Sequence, residues 1–90
     1  SLASLKFDQP EDIQSKKKEL ARAQERSENY KASADANFKD ARDGLNIIFS
    51  AETKREWARD DLKKAEYEGK EIRRLKKDLE RLESKYGKQD

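Results

Sequence analysis

The sequence predicts an all-α fold, an antiparallel two-helix coiled-coil hairpin, from three observations. First, 47% of its 90 residues are charged and only 32% are hydrophobic, with one proline and three glycines. This balance is typical of long helices and leaves too little apolar material for a globular core. Second, small and apolar residues follow a heptad-like spacing through both halves of the chain. Third, the stretch GLNIIFS at 44–50, which combines turn-forming and apolar residues, lies at the midpoint of that spacing.

The first helix is predicted over residues 10–45. Asp8 followed by Glu11 matches a capping box, and Pro10 suits a first helical turn. Interface residues then recur at steps of seven and of three or four, with one stutter near Ala34. The predicted interface residues of this helix and the turn are Ile13, Leu20, Ala23, Ser27, Tyr30, Ala34, Phe38, Ala41, Leu45 and Ile48.

The second helix is predicted over residues 50–86, with Ser50 as its N-cap and Gly87 as its C-terminal cap. One set of interface residues recurs every seven positions and a second set lies between them. The first set is Ala51, Ala58, Ala65, Ile72, Leu79 and Tyr86, and the second is Leu62, Gly69, Leu75 and Leu82.

The helical hairpin is thus assigned to residues 9–87, with the apolar tip at 44–50. Residues 1–8 are interpreted as an N-terminal extension or cloning remnant, and residues 88–90 as a tail. Because the sequence opens with Ser1 rather than methionine, we expect a processed, excised or tagged fragment of a larger protein.

Antiparallel pairing of the two helices places large residues opposite small ones when facing residue numbers sum to 95 or 96. The predicted layers are Ile13 with Leu82, Leu20 with Leu75, Ala23 with Ile72, Ser27 with Gly69, Tyr30 with Ala65, Ala34 with Leu62, and Phe38 with Ala58. In this register Lys17 lies across from Asp78, and Glu19 across from Lys76. The spacing leaves a second arrangement open, in which long continuous helices pair as an antiparallel dimer and make the same contacts between chains.

The residue types argue against an enzyme. The chain has no histidine and no cysteine, so the commonest general base and the thiolate ligands of metal sites are both missing. Its carboxylates have basic neighbours three or four residues away, which is the pattern of a solvated helix surface. No phosphate-binding or nucleophile motif is present. We therefore expect no catalytic residues, no metal site and no cofactor. No segment is apolar enough to span a membrane, and the residue pattern leaves the cellular location open.

The predicted binding site is the tip, formed by Leu45, Ile47, Ile48, Phe49 and Trp57. Exposed apolar patches of this kind often mark partner surfaces. The first functional hypothesis is therefore a non-enzymatic interaction module that presents an apolar tip to a protein partner, a receptor or a second copy of the chain. In the alternative interpretation, these side chains fold back and close the helix ends locally.

Two basic clusters suggest a second hypothesis, an anion-binding patch for nucleic acid or an anionic membrane surface. The candidate residues are Lys16, Lys17, Lys18, Arg73, Arg74, Lys76 and Lys77. A formal net charge of only +2 argues against nucleic-acid binding, and so does the absence of aromatic residues within the basic runs. A third hypothesis is a purely structural dimerisation rod.

Overall fold

The computed structural model describes residues 9–44 and 48–87, and these form two helices packed against each other. Helix α1 spans Glu11–Asp43 and helix α2 spans Ala51–Tyr86. The molecule is elongated, with principal extents of 58 × 32 × 15 Å. The predicted all-α helical hairpin is therefore confirmed. Predictions for residues 1–8, for Leu45 and Ile47, and for 88–90 lie outside the described residues.

Helix α1 begins and ends on local backbone contacts that differ in detail from those predicted. Pro10 is the N-cap and makes no side-chain cap. Instead, the Gln9 N–H donates to Asp12 Oδ2 at 2.8 Å, so Asp12 takes the part predicted for Glu11 in the capping box. At the other end, Gly44 adopts the left-handed conformation, φ 63°, and donates its N–H to the Asp40 carbonyl at 3.0 Å. This glycine ends α1 at Asp43, two residues before the predicted end.

Both predicted caps of α2 are present. The Ser50 side chain accepts a hydrogen bond from the Thr53 N–H at 3.1 Å, which satisfies a donor that the first turn leaves free. Gly87, with φ 82°, donates its N–H to the Glu83 carbonyl at 2.7 Å. The chain therefore leaves α1 at Gly44 and enters α2 at Ser50.

The residues that face the other helix follow an unbroken heptad within each helix, over the part of the chain that the structure describes. We call this set the heptad interface, and each of its members is buried or half-buried. In α1 it comprises residues 13, 16, 20, 23, 27, 30, 34, 37 and 41, and in α2 residues 51, 54, 58, 61, 65, 68, 72, 75, 79, 82 and 86. The stutter predicted near Ala34 is therefore wrong.

Three predicted interface residues are displaced by one position, and a polar neighbour takes the place of each. Asn37 replaces Phe38, Asp61 replaces Leu62, and Glu68 replaces Gly69. Phe38 and Leu62 are exposed, Leu62 by 44%. Residues one position apart on a helix point about 100° apart. The residue predicted at each of these three steps therefore lies beside the interface position and not at it.

Gly69 was predicted to face Ser27 in one layer of the interface, but Glu68 holds the interface position at this step. Among the described residues, a Cβ added at Gly69 would come within 4 Å of the Arg73 side chain alone, at an ordinary 3.6 Å. The packing of α1 on α2 therefore does not require a glycine at this position.

The register agrees with the predicted one to within a residue. Three ion pairs between the helices, Arg26 with Glu68, Lys16 with Asp78 and Asp40 with Lys54, join residues whose numbers sum to 94. Lys16 rather than the predicted Lys17 thus lies across from Asp78, at 3.8 Å, and the same Lys16 lies 3.9 Å from Glu19.

The composition of the heptad interface changes along the hairpin. At the base, near the chain ends, Ile13 and Leu82 are fully buried. Toward the tip the buried apolar residues are alanines, Ala34, Ala41 and Ala58. Large apolar side chains therefore hold the base together, whereas small and polar side chains fill the half that carries the tip.

Candidate functional site

The tip exposes three large apolar side chains, which we call the tip patch. Ile48 is 78% exposed, Phe49 is 44% exposed and Trp57 is 38% exposed. The Phe49 and Trp57 rings meet edge to face, with centroids 4.8 Å apart and planes at 65°. Because Ser50 starts α2 directly after Phe49, Trp57 lies two helical turns from that start and its ring reaches back to the turn.

Lys54 connects the tip patch to the opposite helix. It occupies a heptad-interface position of α2, where only 12% of its side chain is exposed. Its Nζ lies 3.5 Å from Asp40 Oδ2 of α1, and 5.8 and 5.2 Å from the ring centroids of Phe49 and Trp57. These contacts hold both rings against the rod, because an ammonium is attracted to the face of an aromatic ring.

Two cations beside the tip patch, Arg42 and Lys54, are paired within the chain. Arg42 Nε lies 3.1 Å from Asp43 Oδ1, and Lys54 is paired with Asp40. The patch thus combines exposed apolar surface with charged neighbours that already have partners.

Of the five predicted tip residues, the structure brings Phe49 and Trp57 into contact, and Ile48 directly precedes Phe49 in the chain. The Phe49–Trp57 contact supports part of the alternative interpretation, since each ring covers some of the other. All three side chains nevertheless keep more than a third of their surface exposed, and local closure does not remove the patch.

Phe38 and Leu62, which are also exposed, belong to a different surface. With Ile13 and Ala58 as heptad position a, both follow position d and take position e, whereas Trp57 precedes Ala58 and takes position g. In an antiparallel pair the e positions line one side of the interface and the g positions line the other. Phe38 and Leu62 therefore lie across the hairpin from Trp57.

The predicted anion-binding residues do not form a single patch. They lie at a similar level along the long axis of the hairpin, near its base, but they point in different directions around that axis. Their heptad positions are d for Lys16, e for Lys17 and Lys76, f for Lys18 and Lys77, b for Arg73, and c for Arg74. Position f is the outer face of each helix, so Lys18 and Lys77 point away from each other.

Two of these cations are held in ion pairs. Lys16 lies between Glu19 and Asp78. Arg74 donates hydrogen bonds to Glu71 at 2.7 Å and to Asp78 at 3.4 Å. The hydrogen bond between them raises the pKa of Arg74 and lowers the pKa of Glu71. Both cations would have to exchange an existing carboxylate partner for a phosphate.

The heptad interface contains a buried carboxylate that the sequence analysis missed. Glu68 is 7% exposed, and the Arg26 Nε donates to its Oε1 at 3.0 Å. Its Oε2 is buried and has no hydrogen-bond partner in the described part of the chain. The hydrogen bond to Glu68 raises the pKa of Arg26. Unbroken heptad counting back from Leu82 and Leu75 would have found Glu68.

A shallow groove of about 270 Å³ lies on the g side of the base, lined by Asp12, Ser15, Lys16, Glu19, Asp78, Arg81 and Leu82. The Lys16 ammonium lies among the carboxylates of this groove, which disfavours a bound cation there.

Residues 9–44 and 48–87 contain no group of three or more potential metal ligands. Neither described helix has a segment long and apolar enough to cross a membrane.

No protein-family model, curated protein or solved structure matches this chain. Its functional interpretation therefore depends on the geometry of the hairpin and the tip patch.

Proposed function

We propose that the chain is a non-enzymatic interaction module, a coiled-coil hairpin that presents the tip patch to a protein partner. One observation carries this proposal. Large apolar side chains are buried at the base but exposed at the tip, where Ile48, Phe49 and Trp57 stand together. Two helices cannot cover their own apex, so contact with another molecule would remove this apolar surface from water.

The arrangement of the patch also suits binding. Aromatic side chains with few rotatable bonds lose little conformational entropy when a partner docks on them. Phe49, Trp57 and Lys54 already hold one another in place, which lowers that cost further. Since Arg42 and Lys54 already have carboxylate partners within the chain, we expect the binding energy to come mainly from apolar contact.

The two alternative functions have less support. An anion-binding surface needs cations on one face, whereas the basic residues here surround the rod and two of them are held in ion pairs. A purely structural rod gives no role to an exposed aromatic pair at the tip. Salt separates the hypotheses, because phosphate binding weakens steeply as salt rises and apolar docking does not.

The Ile48→Ser/Phe49→Ser double variant tests the proposed function. We expect it to abolish association through the tip, measured by sedimentation velocity over rising chain concentration and by photo-crosslinking from position 48 in cell extract. The helices should persist, since the interface below the tip is unchanged. Loss of the Phe49–Trp57 contact should cost no more than about 1.5 kcal/mol of stability.

Tyr67→Ser is the matched control, because Tyr67 is also an exposed aromatic residue but lies well down α2. It should leave association unchanged. If the double variant instead lost much more stability and associated like the parent, the tip residues would be closing the helix ends. A parent chain that stays monomeric and crosslinks to nothing from position 48 would contradict the proposal.

A further inference from the structure

The half of the heptad interface toward the tip contains ionisable side chains at positions where apolar residues are expected. In α2 these are Lys54, Asp61 and Glu68, which follow one another at steps of seven. Each meets a polar residue of α1. Lys54 meets Asp40 at 3.5 Å, Asp61 accepts from Asn37 Nδ2 at 3.5 Å, and Glu68 accepts from Arg26 at 3.0 Å.

We propose that these ionisable residues fix the register of the hairpin, because a slip of one heptad in either direction places a carboxylate of α2 beside a carboxylate of α1. A buried polar residue that specifies register at some cost in stability is a known device of paired helices. Here the device is built on Glu68, which has Arg26 as its own cation partner in the observed register.

The first slip moves α2 by seven residues toward the base. The ion-paired residues of the two helices have numbers that sum to 94 in the observed register, and after this slip the numbers of facing residues sum to 87. Glu68 therefore leaves Arg26 and comes beside Glu19. Arg26 moves to Asp61, which keeps one ion pair, but the buried carboxylate faces a like charge. Lys16, which lies 3.9 Å from Glu19, is then the cation nearest to both carboxylates, whereas in the observed register Glu68 has Arg26 and Glu19 has Lys16. Two carboxylates that share one cation are costly in a helix interface.

The second slip moves α2 by seven residues toward the tip, and the numbers of facing residues then sum to 101. Glu68 comes beside Ser33, which carries no charge, and Asp61 comes beside Asp40. Two carboxylates meet where Lys54 and Asp40 form an ion pair in the observed register.

The apolar residues oppose the second slip only in part, since it takes Leu82 away from Ile13. It would pair Leu20 with Leu82 and Tyr30 with Ile72, both acceptable apolar layers. The layers of small residues toward the tip are equally permissive, since alanine fits opposite most side chains. Much of the discrimination between registers therefore falls to the ionisable residues.

The distance between two spin labels reports the register directly. The chain has no cysteine, so Lys31→Cys and Lys76→Cys, both exposed, give two unique labelling sites on the e side. A one-heptad slip changes their separation along the rod by about 10 Å. The parent should give one distance. Arg26→Met/Glu68→Leu removes the buried charge and should add a second distance.

A second variant moves the cation instead of deleting the charge. In Arg26→Met/Glu19→Lys, α1 offers Glu68 a cation in the first slipped register and none in the observed one, so the label distance should lengthen by about 10 Å. Glu71→Leu/Arg74→Met is the matched control, because it removes an exposed ion pair within α2 and should keep the parent distance.

Circular dichroism on each labelled protein confirms that the helices are formed. If Arg26→Met/Glu19→Lys does not fold, Arg26→Met/Glu68→Leu decides alone, since it removes the buried carboxylate and leaves the Lys54–Asp40 pair in place. Additional or shifted distances in the two interface variants, with an unchanged control, support the proposal. The parent distance in both folded variants would overturn it and would show that the turn between Gly44 and Ser50 sets the register.

Discussion

Leu82→Ala is expected to lower the free energy of unfolding by about 2–5 kcal/mol, one of the two largest effects that we expect from a single substitution in this hairpin. Leu82 is 1% exposed and, with Ile13, is one of the two largest fully buried side chains. Truncating it removes apolar contacts and leaves a cavity in the base, where the helices depend on large apolar residues. Denaturant unfolding monitored by circular dichroism measures the change.

Leu62→Ala is the matched control, because it deletes the same atoms from a residue that apolar spacing also assigned to the interface. Leu62 is 44% exposed at position e, so this change should cost less than about 1 kcal/mol. Equal costs for the two variants would mean that the interface passes through Leu62, and the unbroken heptad would be wrong.

Glu68→Leu is expected to raise the free energy of unfolding by about 1–4 kcal/mol. The substitution removes a carboxylate that is buried with one oxygen unpartnered and inserts an apolar side chain of similar size. Arg26, which is half-exposed, can return its guanidinium to water. Thermal and denaturant unfolding should both show the gain, since the two methods respond to the same interface.

Glu66→Leu provides the comparison on an exposed position of the same helix, where the same change should alter stability by less than about 0.5 kcal/mol. A destabilised Glu68→Leu variant would show that the Arg26–Glu68 pair contributes more than the burial of Glu68 costs. In that case the pair would be a source of stability, and the assumption that it lowers stability would fail.

The sequence predicted the parts of the fold that depend on apolar residues and on caps. Ile13, Leu75 and Leu82 lie in the interface as predicted, and Ser50 and Gly87 cap α2. The register was within one residue of that observed, because the apolar residues set the phase of the two heptad interfaces, which a slip of a whole heptad leaves unchanged.

The errors have a common physical cause. At Phe38, Leu62 and Gly69 an apolar or small residue follows a polar residue that holds the interface position. A prediction from apolar spacing selects the apolar or small residue, whereas the helix places the polar residue at the interface position of the heptad. A polar residue is stable there only if α1 supplies a partner, as Arg26 does for Glu68 and Asn37 for Asp61. Such partners lie in the other helix, so local patterns do not reveal them.

The candidate site was predictable to a similar extent. Sequence indicated that Ile48, Phe49 and Trp57 belong together near the apex, because hairpin symmetry places them there. The role of Lys54 was not predicted, since its ring contacts and its pairing with Asp40 depend on a tertiary position.

Trp57 is the sole tryptophan of the chain, and quenching of its fluorescence by acrylamide tests the central claim, that the tip patch is the docking surface. The measurement is made on the isolated chain and on the associated species, whether self-associated or bound to a partner identified from position 48. The account predicts ready quenching in the isolated hairpin and marked protection, with a blue-shifted emission, once association is complete. Association that leaves quenching and emission unchanged would place the contact elsewhere and contradict the claim.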